Sequence, residues 1–362
     1  MIRILQVVNI MDRAGIENML MNYYRNIDRE KIQFDFLTHR PKRGVYDDEI
    51  EELGGEVFYA PRLYPWNYIE YFAYMKQFFA KHKEYSIIHS HIDAMSYMPL
   101  LAAKKAGVKT RIAHSHCTGM DLDYKIPMKL FFKSQINKVA NVFCACTIDA
   151  GKYLFGNKDI HIIPNAIDER RFVYNEGIRE KVRKKLGIED NFVIGHVGRF
   201  TYQKNHEFII RVFDQLQKDY SEVKLLLVGD GIKKENIKKQ INKVGLSKKV
   251  IILDSMNNIE DYYQAMDVFI LPSRFEGLGI CAVEAQVTGL KTILSEYVPR
   301  EASISSETVF LPLDVSVWVA ELLKSIEVRT KRTTQYSEFY DIRYAVKNLE
   351  AFYIERGGCI EK

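Results

Sequence analysis

No stretch of this chain approaches the roughly 18 consecutive apolar residues that a membrane-crossing helix needs, so none is expected. The first apolar segment, Met1-Ile2-Arg3-Ile4-Leu5-Gln6-Val7-Val8, is too short for a signal peptide and is soon followed by Asp12 and Arg13. It reads instead as a first buried strand. Cysteine is scarce: the five residues Cys117, Cys144, Cys146, Cys281 and Cys359 form an odd set without zinc-ligand or redox spacing. Cys144 and Cys146 alternate along one strand face, which points to buried free thiols and an intracellular protein. Charge of one sign is also lacking, since a net charge of +5 is too mild to imply a nucleic-acid partner. No complete G-x-G-x-x-G follows a first strand, which argues against a dinucleotide-dependent oxidoreductase. No carboxylate or histidine set has metal-ligand spacing, and no repeat or low-complexity segment is visible.

What the chain does have is a repeated unit of short apolar strand, loop and amphipathic helix. Expected strands are Ile4–Val8, Phe34–Leu37, Val57–Tyr59, Ile87–Ser90, Thr110–His114, Val142–Cys146 and His161–Ile163. The pattern restarts at Phe192–Gly198 and continues through Lys224–Gly229, Val250–Leu253, Val268–Leu271, Lys291–Leu294 and Val309–Leu311. Continuous apolar strands alternating with helices imply parallel sheets covered on both faces. The 362 residues are enough for two such domains. The expected division is 1–168, 169–340 and a closing helix in 341–362, where Ile342, Val346, Leu349 and Phe352/Tyr353 recur at helical spacing.

The most informative segment is Phe275-Glu276-Gly277-Leu278-Gly279-Ile280-Cys281-Ala282-Val283-Glu284-Ala285. It follows a buried strand, turns through Gly-Leu-Gly and enters a helix, with one carboxylate in the loop and one on the helix. Loop glycine lets a ligand approach the backbone, and a helix N-terminus presents unpaired N–H groups to phosphate. Carboxylates only accept hydrogen bonds, so they suit hydroxyl groups and repel phosphate. Sugar hydroxyls beside a diphosphate meet both demands. A second cluster, Gly198-Arg199-Phe200 with Lys204-Asn205-His206, follows another buried strand. Arginine forks onto phosphate oxygens and lysine adds a point charge, so the two could neutralise a leaving diphosphate. A solvated loop with two surface cations is the plain alternative.

Together these motifs resemble the E-x7-E and G-R-x4-K signatures of family 4 (group 1) retaining glycosyltransferases, and the resemblance covers nearly the whole chain. It implies the GT-B fold: two doubly wound Rossmann-like domains facing across a cleft, with the last helix crossing back to the first domain. It further implies that Glu276 touches hydroxyls of the donor sugar and that Glu284 takes the ribose diol. Gly277 lies in the same loop, and the backbone N–H groups of Leu278 and Gly279 would cradle phosphate beside Gly198, Arg199 and Lys204. Gly229-Asp230-Gly231 occupies the place of the family's G-x-G loop near the nucleotide. Ala14-Gly15-Ile16-Glu17 is similar to its G-G-x-E loop, with Ala14 in place of the first glycine. Alanine tolerates positive φ poorly, so that departure narrows the loop's freedom, while Gly15 keeps the close-approach role.

In the family a histidine at a strand end of the first domain contacts the donor sugar. His116 aligns best, His114 remains open by one step of register, and His91 at the neighbouring strand end lies toward the acceptor with Glu17. Asp121-Leu122-Asp123 resembles the metal-binding triplet of the other glycosyltransferase fold, but it follows a histidine loop in a chain with two sheets and is set aside. The implied reaction is hexose transfer from a nucleoside diphosphate sugar, UDP-sugar favoured, to a hydroxyl with retained configuration, without metal or other cofactor. Between residues 100 and 140, lysines mix with large apolar groups around Ile126–Lys133. That segment is either a surface helix with a core face or a patch meeting anionic lipid headgroups. The second reading suits a glycan or polyprenyl-linked acceptor at the inner membrane face, and surface-polysaccharide assembly in the cytoplasm. Ser295-Glu296-Tyr297-Val298-Pro299-Arg300-Glu301 is similar to the capsular and exopolysaccharide subgroup. Two other classes stay open: another GT-B enzyme such as a nucleotide-sugar epimerase, and a non-catalytic two-lobed binding protein.

Overall fold

Strands that are apolar on both faces need helices above and below them, and the computed structural model has this arrangement twice. It describes residues 1–64, 66–120, 124–256, 258–328 and 332–357. The Asp121–Asp123 triplet and Cys359 lie outside them. The chain divides into two units, one of residues 1–167 with those from Glu338 onward, the other of Asp168–Ser337.

The first unit contains β1 (Ile2–Val8), β2 (Ile32–Thr38), β3 (Val57–Tyr59), β4 (Ile87–Ser90), β5 (Thr110–Ser115), β6 (Val142–Ala145) and β7 (His161–Ile162). They form one sheet in the order β3-β2-β1-β4-β5-β6-β7, every pairing parallel. Successive side chains point to opposite faces. Leu5, Val7, Ile88 and Ala113 therefore pack under helix Tyr68–Lys81 and its neighbours, beside Tyr71, Met75 and Phe78. Ile4, Val8, Ile87 and Ile112 join the other core, with helix Gly15–Asn26 and helix Ile342–Gly357. That last helix buries Ile342, Val346, Leu349, Phe352 and Tyr353 against this unit.

The second unit contains β8 (Phe192–Val197), β9 (Val223–Val228), β10 (Val250–Leu253), β11 (Val268–Leu271), β12 (Lys291–Ser295) and β13 (Thr308–Leu311). Their order is β10-β9-β8-β11-β12-β13, again all parallel. Helix His206–Asp219 lays Phe208, Ile209, Val212, Phe213 and Leu216 on one face, against the fully buried Trp318. In each sheet the strand order reverses beside the first strand, between β1 and β4 and between β8 and β11. Doubly wound sheets bind ligands at such a switch point, outside the carboxyl ends of the strands.

Candidate active site

In the second unit the two loops at the switch point are residues 198–205 after β8 and 272–279 after β11, and they carry both motifs except Glu284, which lies on the helix that follows. The loops are tied together: Arg274 N donates to Gln203 O at 2.8 Å, and Asn205 Nδ2 donates to Pro272 O at 3.1 Å. Asn205 has φ 58° and starts helix His206–Asp219 from a left-handed turn, a conformation that asparagine tolerates better than most residues.

Glu276 is buried, and its Oε1 accepts from Lys204 Nζ at 2.6 Å and from Ser273 Oγ at 2.6 Å. Its Oε2 accepts from Gln203 Nε2 at 3.1 Å. A carboxylate held by three donors is oriented before any ligand arrives. Burial works most strongly against the Lys204 ammonium, but the charge of Glu276, its hydrogen bond and the Cys281 sulfur together outweigh it and keep the lysine pKa above its ordinary value. Lysine carries three N–H donors, so the contact with Glu276 leaves capacity for an anion. The Arg199 side chain is exposed and makes no hydrogen bond or ion pair among the described residues.

Glu284 stands half-buried in helix Ile280–Val287, and Tyr263 donates to its Oε2 at 2.7 Å. Burial pushes the Glu284 carboxyl up to about 7, with Glu260 adding to the effect and the Tyr263 hydrogen bond opposing it. Helix Ile280–Val287 begins at Gly279, whose φ of 85° is a left-handed turn suited to glycine. Its first N–H groups thus lie in the loop that carries Glu276. Cys281 is buried beside both glutamates and Lys204, and burial raises its thiol to about 12, which makes it a poor nucleophile.

The Gly229 and Gly231 turn has an internal reason for its glycines. Their φ values are 150° and 149°, and a Cβ on Gly229 would stand 2.2 Å from Gly198 O. A Cβ on Gly231 would meet the Phe200 backbone at 2.7 Å. Gly198 N donates to Val228 O and Phe200 N to Asp230 O, at 3.0 and 2.8 Å, so this turn clamps the loop that carries Arg199.

In the first unit, Gly15 and Glu17 open helix Gly15–Asn26 after β1, with Glu17 buried. Ala14 is extended, with φ −143°, so its replacement of glycine carries no strain, contrary to the sequence expectation. Open space surrounds the Cβ position of Gly15, so nothing in the protein itself demands glycine there. Beside it, at the ends of β4 and β5, stand His89, His91, His114 and His116, all buried. The rings of His114 and His116 stack with centroids 3.9 Å apart, so one strand face carries both candidates. Burial pushes all four well below the ordinary histidine range, His116 to about 3, and they are neutral at pH 7. Asp93 receives a hydrogen bond from His116 N at 2.9 Å, and burial lifts its carboxyl to about 6. Asp93 and Asn205 are the non-glycine residues with positive φ among the described residues, and each lies in the loop after a strand at the switch point.

The segment around Ile126–Lys133 is a helix, Ile126–Gln135, that buries Phe132 and leaves Leu130 and Phe131 exposed. Tyr124 and Trp66 lie exposed with ring centroids 6.4 Å apart, and Trp66 stacks on Tyr64 at 4.9 Å. Lys125 Nζ stands 5.1 Å from the Tyr64 ring centre and Arg62 4.9 Å from it, so cations and aromatics form one patch across two segments. A cavity of about 730 Å³ elsewhere in this unit is lined by Phe72, Lys76, Phe79 and Tyr85, among others, and by the segments entering β4 and β5. It lies at the amino ends of those strands, away from the switch point.

Residues 178–311 match the family described as Glycosyl transferases group 1, and residues 13–171 match Glycosyltransferase Family 4. A Bacillus subtilis (strain 168) protein named as a glycosyltransferase, EpsF, is 34% identical over 335 residues, covering 89% of this chain and 87% of that one. The chain belongs to the family 4, group 1 glycosyltransferases. The capsular polysaccharide biosynthesis glycosyltransferase CapH of Staphylococcus aureus is 24% identical and covers 98% of this glycosyltransferase and 99% of itself. The crystal structure of Anabaena HepE in complex with UDP and glucose superposes with a TM-score of 0.76 at 17% identity, over 98% of this chain and 95% of that one. That likeness establishes the GT-B fold.

Several residues of this glycosyltransferase that surround the motifs were not singled out from the sequence: Gln203, Ser273 and Tyr263 around the glutamates, and Gln6, Asp93 and Tyr353 around the histidines. Ser273 and Gln203 adjoin motif residues and could have been found by proximity. Tyr263 and Tyr353 carry no local signal, because their partners lie 21 and 264 residues away. No described helix is long and apolar enough to cross a membrane.

Proposed function

We propose that this glycosyltransferase moves a hexose from a nucleoside diphosphate sugar, UDP-sugar favoured, to a hydroxyl of a glycan or lipid-linked acceptor, with retention and without metal or other cofactor. The carrying observation is the set Arg199, Lys204 and Glu276 on the loops after β8 and β11, with Glu284 on the helix that follows. Arg199 and Lys204 would stabilise charge on the leaving diphosphate, aided by the N–H groups of Leu278 and Gly279. Glu276, oriented by three donors, would accept from sugar hydroxyls, and Glu284 in its ionised form would accept from both hydroxyls of the ribose.

Neither glutamate is a free nucleophile, since Glu276 is engaged by Lys204 and Ser273 and Glu284 by Tyr263. This favours attack of the acceptor hydroxyl on the face that the diphosphate leaves, with the leaving phosphate taking the hydroxyl proton. The ligands of HepE support the choice of UDP and a hexose, and the role named for CapH supports surface-polysaccharide assembly. The aromatic and cationic patch of Trp66, Tyr124, Lys125, Leu130 and Phe131 supports a polyprenyl-linked acceptor, met by peripheral contact with anionic membrane at the cytoplasmic face. His116, with His114 beside it, would meet a sugar hydroxyl, and Glu17 and His91 would lie toward the acceptor.

The test is titration with nucleoside diphosphates and their sugars, followed by turnover of the best binder with a polyprenyl-diphosphate glycan in the presence of EDTA. Tight binding of one nucleotide sugar, and a product whose anomeric proton shows the donor's configuration, are expected. No binding, inversion, or loss of turnover in EDTA would each overturn the corresponding part.

A further inference from the structure

The four histidines of the first unit are joined into one hydrogen-bonded chain by Gln6 and Tyr353. His116 Nε2 lies 2.9 Å from His91 Nδ1, and His91 Nε2 lies 2.8 Å from Gln6 Oε1. Gln6 Nε2 donates to the Tyr353 hydroxyl at 3.2 Å, and that hydroxyl lies 2.7 Å from His89 Nδ1. His89 Nε2 lies 3.1 Å from His114 Nδ1. All these side chains share the sheet face that helix Ile342–Gly357 covers, which is how Tyr353 reaches them.

Each link needs one hydrogen, and each neutral imidazole has one N–H to give. The Gln6 carbonyl requires an N–H on His91 Nε2, so His91 Nδ1 is a lone pair and His116 must hold its proton on Nε2. On the other arm the Tyr353 oxygen accepts from the Gln6 amide, and among the described residues its hydroxyl hydrogen has only His89 Nδ1 to go to, so the tyrosine donates to His89 Nδ1. His89 then donates from Nε2, and His114 keeps its proton on Nε2. All four rings carry the same tautomer. Turning the Gln6 amide over would convert all four to Nδ1–H, whereas a mixture would leave either one link without a hydrogen or the buried Tyr353 hydroxyl hydrogen without an acceptor. In either direction the chain ends in one unused N–H and one unused lone pair. These are His114 Nε2 and His116 Nδ1, two buried nitrogens without a hydrogen-bond partner among the described residues. Their rings stack with centroids 3.9 Å apart, so the two ends of the chain lie on adjacent rings.

We propose that Gln6 and Tyr353 are positioning residues that lock the four histidines in a single tautomer, so that His114 and His116 together present one donor and one acceptor to an alcohol hydroxyl. A hydroxyl both donates and accepts and so satisfies both ends, whereas a phosphate dianion offers only lone pairs and would face one of its own kind. The ligand chemistry selected is therefore a neutral sugar hydroxyl. That it belongs to a sugar rests on the proposed function; the shared tautomer does not.

The test is a long-range ¹⁵N–¹H correlation spectrum of the full chain labelled in histidine, which reads each tautomer directly. We expect His89, His91, His114 and His116 all as Nε2–H. Tyr353→Phe should release His89 and His114 into mixed tautomers while His91 stays tied to Gln6, and Gln6→Met should release His91 and His116. Both variants should lower kcat by about tenfold, the loss of roughly one neutral hydrogen bond, with nucleoside diphosphate affinity unchanged. Mixed tautomers in the native chain would overturn the lock, and the native spectrum decides this even where a variant fails to fold. Unchanged tautomers in both folded variants would also overturn it. Released tautomers with native kcat would overturn the hydroxyl-binding role. Failure of every nucleotide sugar to bind would sink the donor reading, while the spectrum would still decide the lock.

Discussion

Both units place polar side chains at the carboxyl ends of the strands flanking a switch point, yet they fill that position with opposite chemistry. The second unit sets charges there: an exposed arginine, a lysine paired with a buried glutamate, and a second glutamate near its neutral point. The first unit sets chiefly neutral rings, buried and hydrogen-bonded to one another, with Glu17 and the burial-raised Asp93 carboxyl beside them. The difference teaches where the electrostatic cost of binding is met. A diphosphate demands cations in a partly dry site, where they act strongly but are expensive to hold. Lys204 is held there by Glu276, so the unliganded site carries its own counter-charge. Hydroxyl groups demand only direction, which a tautomer can encode without charge.

Lys204→Ala tests this contrast most severely. It removes the cation and leaves the buried Glu276 without its ion-pair partner. Transfer is expected to fall by about 10²–10³-fold, the loss typical of a removed electrostatic donor. The equivalent truncation among neutral groups of the first unit should cost far less. Near-normal turnover of Lys204→Ala would break the comparison.

Glu284→Gln comes next and carries a pH signature. Affinity for the nucleoside diphosphate should drop by about 10–100-fold, as for hydrogen bonds to a charged group. If Glu284 takes the ribose diol as proposed, affinity in the native chain should rise as pH climbs through about 7, where the accepting ionised form appears; in the variant that rise should vanish. The stability effect has the opposite sign. The folded carboxyl keeps its proton to about pH 7 while the unfolded one loses it near 4.5, so its contribution is complete below 4.5 and is lost as pH rises toward 7. The variant should therefore gain Tm relative to native across that interval. Titration calorimetry and melting curves at pH 5, 6, 7 and 8 check both signs.

The loops differ as their side chains do. Gly229→Ala should cost about 1–3 kcal/mol, since its φ is one that alanine resists and its Cβ would collide with Gly198 O. Gly15→Ala should leave stability near native, because its Cβ position is open. Equal losses in urea melts would mean that the glycines do not separate the two units as described.

The fold was legible because local rules and tertiary demands agreed. Each expected strand appears within two residues of its expected ends, since continuous apolar runs between loop residues suit only covered parallel sheets. Within the candidate site, what was legible is the grouping that a local motif carries, as in Glu276 with Glu284, or Arg199 with Lys204; their roles rest on the proposed function. What remained unread are the residues that orient those groups. Tyr263 looks like any core tyrosine of a helix, and Gln6 like a misplaced polar residue in a strand. Their meaning lies in a hydrogen bond to a partner that only the folded chain brings near. Gly229 and Gly231 were read as a nucleotide turn, but their immediate reason is the approach of two backbone loops, which a spacing pattern cannot express.

His116→Ala should lower transfer less than Lys204→Ala does, and it sharpens the comparison most. It removes the lone pair at one end of the histidine chain and the donor to His91 Nδ1, both neutral interactions worth about 1 kcal/mol each. Transfer should fall by about tenfold while nucleoside diphosphate affinity stays native, because no charge that meets the phosphates is touched. The pH profile of the remaining activity should still follow Glu284, since burial holds the other histidines neutral throughout the neutral range. A loss as large as that of Lys204→Ala would mean that the ring does more than direct a hydroxyl. A shifted profile would mean that one of these imidazoles changes charge during turnover, and the division between a charged unit and a neutral one would then fail.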